Sequence, residues 1–210
     1  MTLFKTVAVA ATMAVAAGTA QASTYSATDL GIIVDASSAS TSFDVTDIGS
    51  VTSIDVTLGV SICGRPFASP TAPCNSATSF TFTNELTLSL TSALGTVIDL
   101  VVAGSYSGQE GGADALLTFD DNAATAVGGP AFVTGTFRPV DALSSLIGET
   151  AAGIWTITIG DTVGFDPKRL NSYEVTFNEG ISAVPLPAGL PLLLLGMGGL
   201  GLVARKRRGA

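Results

Sequence analysis

The chain has 210 residues, a formal net charge of −8, two cysteines and no histidine. Without imidazole, Ser-His-Asp and Cys-His nucleophiles and histidine-ligated zinc are excluded. Between the two apolar ends lie residues 23–183, about one domain of chain, where four cations (Arg65, Arg138, Lys168, Arg169) meet all seventeen carboxylates, an acidic balance that disfavours nucleic acid as a partner.

Met1 to Ala22 carries one cation, Lys5, then an Ala/Val-rich apolar core and the small-residue pattern Ala20-Gln21-Ala22. This pattern predicts a secretory signal peptide that forms a helix and is cleaved before Ser23, with the Sec translocon and signal peptidase as partners. Export places Cys63 and Cys74 in an oxidising compartment. They enclose Gly-Arg-Pro-Phe-Ala-Ser-Pro-Thr-Ala-Pro, which has no helical period, so a local Cys63–Cys74 disulfide is expected. Closing so short a loop contributes about 2–3 kcal/mol through the unfolded chain. Phe67, inside the loop, is a candidate exposed contact.

Beyond the leader the apolar period is two. Ile54, Val56, Leu58, Val60 and Ile62 alternate with polar or small residues, as do Leu86, Leu88 and Leu90, then Trp155, Ile157 and Ile159, then Tyr173, Val175 and Phe177. Each run predicts a strand with one buried face. Trp155 is assigned to the core on the same periodicity. Val97 to Val102 is more continuous and predicts burial on both faces. Ala93-Leu94-Gly95 and Gly160-Asp161-Thr162 read as turns. No amphipathic helical stripe or internal repeat occurs between the ends. The expected fold is all-β, a jelly-roll β-sandwich with two sheets around one core.

The available chemistry is sparse. A Ser-Lys dyad would need Lys168, which no Ser-x-x-Lys pattern serves. Gly104, Gly108, Gly111 and Gly112 precede no Lys-Ser/Thr and make no phosphate cradle. Paired carboxylates remain. Asp120-Asp121 with Asp114 and Glu110 upstream form one candidate calcium loop, and Asp161 with Asp166 a second. The alternative is that these acids cap turns or face solvent.

At the C-terminus, Pro185, Pro187 and Pro191 punctuate the entry to an apolar run from Leu186 to Ala204, which the cluster Arg205, Lys206, Arg207, Arg208 closes. A run of about 20 apolar residues is long enough to cross a bilayer as a helix, and the cations hold its end in the cytoplasm.

Val184-Pro185-Leu186-Pro187-Ala188, followed by that span and the basic cluster, resembles the VPLPA-CTERM sorting signal, a relative of the PEP-CTERM signals of Gram-negative bacteria. The resemblance implies an exosortase-type sorting enzyme as partner. It also implies transient anchoring in the inner membrane, removal of the tail, and delivery to the cell surface or an exopolysaccharide matrix.

The body carries a second resemblance. Asn84-Glu85-Leu86-Thr87-Leu88-Ser89-Leu90-Thr91-Ser92-Ala93-Leu94-Gly95-Thr96, Phe119-Asp120-Asp121, Thr134-Gly135-Thr136-Phe137-Arg138-Pro139, Gly153 to Asp161 and Leu170 to Phe177 occur in order. The series is similar to the blocks of the P domain, or Homo B domain, of proprotein convertases, over about residues 50–179. Ala93 and Leu94 stand where that family has Ser-Pro, Tyr173 where it has Trp, and its early His-Thr element is missing. The resemblance implies a non-catalytic β-domain that accompanies a subtilisin-like protease. The expected function is therefore a surface-sorted structural, adhesive or binding component of the envelope or exopolysaccharide matrix. The alternatives are an accessory P domain for a secreted subtilisin-like serine protease and a carbohydrate-binding module.

Overall fold

The computed structural model describes residues 21–46, 49–64, 80–111 and 113–180. Among them the chain is all-β, with two main sheets and no α-helix. The larger sheet contains β1 (Gln21–Ala27), β2 (Ile32–Val34), β4 (Ser50–Ile62), β9 (Ala113–Phe119), β10 (Gly135–Phe137) and β12 (Lys168–Gly180). Its order is β1-β12-β4-β9-β10, and β2 pairs with the start of β12. The smaller sheet has the order β3-β11-β6-β7, built from β3 (Ser38–Val45), β6 (Leu86–Thr91), β7 (Val97–Val101) and β11 (Gly153–Asp161). Strands β5 (Phe80–Phe82) and β8 (Gln109–Gly111) form a separate pair.

The alternation read from sequence builds the core. Val56, Leu58, Val60 and Ile62 of β4, with Val175 and Phe177 of β12, meet Leu86, Leu88 and Leu90 of β6 and Trp155, Ile157 and Ile159 of β11. All but Leu88, which is 1% exposed, are fully buried. Trp155 stacks edge-on to Phe177 with ring centroids 4.8 Å apart, and its indole N–H donates to the Ala151 carbonyl at 2.7 Å. That bond satisfies the ring's one polar atom, which burial would otherwise leave unpaired. An aromatic chain runs outward from there. Phe43 stacks on Tyr173 at 5.2 Å and on Tyr25 at 5.7 Å, tying β3 and β1 to β12.

Two expectations need correction. Val97 is 56% exposed and Asp99 half-buried, so β7 has one wet face. It is the last strand in the order of its sheet, and beyond it the Val140 and Asp141 amides donate to the Leu100 and Asp99 carbonyls at 3.2 and 2.9 Å. Gly160-Asp161 is not a turn either. The strand continues through Asp161, which pairs with Leu86. A Cβ on Gly160 would stand 2.4 Å from Thr87 Oγ1 on β6, so glycine here permits close cross-strand packing. The turn comes afterwards, over 162–167. At Ala93-Leu94-Gly95 the expected turn is present, with Ser92 Oγ accepting the Leu94 and Thr96 amides at 3.3 and 3.1 Å and Gly95 at φ +88°.

The topology gives the sandwich two poles. Strand β12 pairs antiparallel with β1, with Gln21 opposite Glu179 and Ala27 opposite Tyr173. The start of β1 and the end of β12 therefore share one pole. At the other pole lie Lys168, Val34 and Ile62, in register across β12, β2 and β4. Signal-peptide cleavage before Ser23 would trim the first two residues of β1 and leave the Ser23–Phe177 pairing in place. Among the described residues no helix is long and apolar enough to cross a membrane. The expected C-terminal helix, with the sorting motif Val184–Ala188 and the basic cluster Arg205–Arg208, lies outside them, as does the expected leader helix except for Gln21 and Ala22, which open β1 as strand.

Candidate functional site

The pole away from the start of β1 and the end of β12 holds a dense cluster of charged side chains. Lys168 opens β12 with no solvent exposure. Its Nζ donates to the Asp166 carbonyl at 2.5 Å and to Asp166 Oδ2 at 2.8 Å. Two further carboxylate oxygens, Glu85 Oε2 and Asp161 Oδ2, each lie 3.6 Å from Nζ. Both are buried and accept no hydrogen bond. Asp166 Oδ2 also accepts the Phe82 amide at 2.5 Å. One ammonium thus serves three carboxylates drawn from three places: Glu85 on the 3-10 turn Thr83–Glu85, Asp161 at the end of β11, and Asp166 in the loop before β12.

This environment raises proton affinity. The Glu85 carboxyl is pushed up to about 7, first by desolvation and then by the Asp166 carboxylate, with Lys168 pulling the other way. Asp161 rises to about 6, chiefly through burial, again opposed by Lys168. Burial disfavours the charged form of a carboxyl group, and one shared cation does not restore it.

The loop over this cluster, residues 162–167, is shaped by the same residues. Thr162 N–H donates to the Glu85 carbonyl at 3.1 Å, and the Phe165 amide donates to Asp35 Oδ1 at 2.7 Å. Phe165 has φ +108°, a region non-glycine residues rarely adopt, and it is 74% exposed, two positions after the 51% exposed Val163. The Pro167 carbonyl accepts the Cys63 amide at 2.8 Å, which joins this loop to the end of β4. Cys63 is disulfide-bonded. Cys74, the only other cysteine of the sequence, lies outside the described residues, as does Phe67.

The acids proposed for calcium are divided by the fold. Asp114 is the second residue of β9 and Asp120 follows its last, six positions apart, which is about 20 Å at strand rise. They cannot ligate one ion. Asp114 accepts a hydrogen bond from Ser61, within a network that also links Asn171 and Arg169. Glu110 lies on β8, in the separate two-stranded pair. Asp161 and Asp166 do converge, but on the Lys168 ammonium, which stands where a cation would sit. Among the described residues no group of three or more acidic, cysteine or histidine side chains could hold a metal ion.

Asp120 and Asp121 line a cleft of about 340 Å³ together with Asp55, Asn122, Leu143 and Ile147. Their oxygens are largely committed to backbone. Asp121 accepts the Leu143 and Ser144 amides, one on each oxygen, both at 2.8 Å, and so caps the 3-10 turn Leu143–Leu146. Asp120 Oδ1 accepts the Asn122 amide at 2.8 Å in a tight turn. Turn capping, the second reading of these two acids, describes their hydrogen bonds.

The sequence reading missed Lys168 as the centre of a cluster and Phe165 as an exposed tip. The one available signal was a single lysine at the start of a strand in a strongly acidic domain.

No protein-family model matches the chain, and neither does any curated protein sequence. Among solved structures it is similar to a chain of the complex between an Aeromonas sobria serine protease and the chaperone ORF2, at 13% identity and TM-score 0.43, over 77% of this chain and 27% of that one. The Aeromonas sobria serine protease in a separate structure gives 13% identity and TM-score 0.41, over 76% of this chain and 26% of the other. FlhE gives 12% identity and TM-score 0.39, over 77% and 98%. The chain thus spans about a quarter of the length of the first two.

Proposed function

We propose that this chain is an exported, surface-sorted, non-catalytic module with a P-domain-like jelly roll, acting as a structural or adhesive component of the cell envelope or exopolysaccharide matrix. The observation that carries the reading is the Gln21–Glu179 register, which brings both ends of the domain to one pole. If the sequence ends are address labels, that pole faces the membrane during sorting. The opposite pole then projects outward, carrying the Phe165 tip, the Lys168 cluster and the disulfide-bonded end of β4. Loops set on a rigid sandwich are where such folds place contacts. A protruding aromatic gives large contact area with few rotamers to freeze.

The test is retention. Matrix and medium are separated from cultures expressing either the natural chain or Phe165→Ser, and the chain is quantified in each. The natural chain is expected in the matrix, and the variant, equally folded, in the medium. Equal partition of both would refute the adhesive role of this pole. Recovery of a subtilisin-like peptidase at equal stoichiometry with the natural chain would replace the reading by that of a protease accessory.

A further inference from the structure

We propose that Lys168 and Asp161 condense to an intramolecular amide, a covalent staple between the two sheets, with Glu85 relaying the proton. Lys168 belongs to β12 of the larger sheet and Asp161 to β11 of the smaller one. The nucleophilic nitrogen is fully buried and lies 3.6 Å from Asp161 Oδ2, whose side chain is also fully buried. That oxygen accepts no hydrogen bond. Reacting groups held this near one another and shielded from water have effective concentrations of about 10⁵–10⁸ M when well aligned.

The three acids are not equivalent. Asp166 Oδ2 is occupied by the Phe82 amide and by Nζ itself, and it positions the amine. Glu85, at the same 3.6 Å from Nζ, has its carboxyl raised to about 7, so it can both accept and return a proton near neutrality. Asp161, raised to about 6, is readily present in the neutral form that amine attack requires. The balance is simple. The ammonium and carboxylate form one Nζ–Cγ bond, one Cγ–O bond breaks, and the oxygen leaves as water with two protons taken from the ammonium. Glu85 carries one of these protons from nitrogen to the departing oxygen. No oxidant or external reactant enters. Burial favours the product, because an amide is far less costly to desolvate than an ion pair.

The bond would close residues 161–168 into a ring and fix the loop that bears Phe165. It is tested on protein purified from its native cells, denatured, reduced and cut after glutamate. Cleavage after Glu149 and Glu174 releases residues 150–174, which contain Asp161 and Lys168 and neither cysteine. The expected fragment is one water lighter than its sequence. It yields no backbone fragment ions between 161 and 168, and it resists trypsin after Lys168 while being cut after Arg169. Lys168→Arg is expected to show the full mass. Asp161→Asn is expected to give the same cross-linked product as the natural chain, by loss of ammonia. A natural fragment of full mass after prolonged incubation at neutral pH overturns the proposal. So does a dehydrated fragment that trypsin still cuts after Lys168, which is an aspartyl imide. A cross-link between Lys168 and the peptide containing Glu85 overturns the assignment of Asp161. These readings need only the natural chain, so a variant that fails to fold does not blunt them.

Discussion

Glu85 sits in an environment far from that of an ordinary surface acid. Its carboxyl, raised to about 7 by burial and by Asp166, binds a proton in the folded chain at pH values where the unfolded chain has released it. Between about pH 4.5 and 7 the folded state therefore holds more protons, and stability falls as pH rises through this window. Replacing Glu85 by Gln removes the group that titrates. The fall in Tm from pH 5 to pH 7.5 is expected to be shallower in Glu85→Gln than in the natural chain, as differential scanning calorimetry at matched ionic strength would show. Parallel curves would mean that Glu85 ionises normally. This residue was legible in the sequence only as part of a strand-entry block. Its chemistry depends on Asp161, Asp166 and Lys168, about eighty positions away, and no local pattern announces that convergence.

At the scale of elements, turns carry the specificity that the strands lack. Asp121 closes the Leu143–Leu146 turn with both carboxylate oxygens, and that turn delivers Leu143 and Leu146 into the core. Asp121→Ala leaves two backbone amides without their acceptor and is expected to cost about 2 kcal/mol, measured by urea unfolding. A loss near zero would show that water replaces the carboxylate. In the 162–167 loop the balance runs the other way. Phe165 keeps φ +108° although the residue is 74% exposed. Phe165→Gly relieves a strain of about 1–3 kcal/mol against an unfolded-state penalty of about 1 kcal/mol. A stability gain of about 1 kcal/mol is expected by the same assay, and a loss would place the ring among stabilising contacts. Strands β4, β6, β11 and β12 were readable because their apolar residues alternate over 54–62, 86–90, 155–159 and 173–177. Strands β1 and β3 were not, because Gln-Ala-Ser-Thr-Tyr-Ser-Ala and Ser-Ala-Ser-Thr-Ser-Phe-Asp-Val carry mostly small or polar residues on both faces. Their pairing depends on longer partners and on Tyr25 and Phe43, the aromatics that reach the core.

For the molecule as a whole, the account rests on polarity in the geometric sense. The two ends of the domain leave from one pole, and the buried lysine cluster and exposed aromatic occupy the other. The overall class, two sheets about one apolar core, followed from the period-two pattern. The order of strands did not, since it depends on which edges meet across the sandwich. Topology of this kind gains a purpose only if the termini act as the sequence suggests, as a leader removed on export and a tail recognised at the surface. Intact-mass measurement of the native protein, taken separately from cell membranes and from the extracellular matrix, decides this directly. The surface-sorted account predicts a released form that begins at Ser23 and lacks Leu186–Ala210, alongside a membrane-associated precursor that retains the tail. A single species that keeps both Met1–Ala22 and Leu186–Ala210 in every fraction would contradict it.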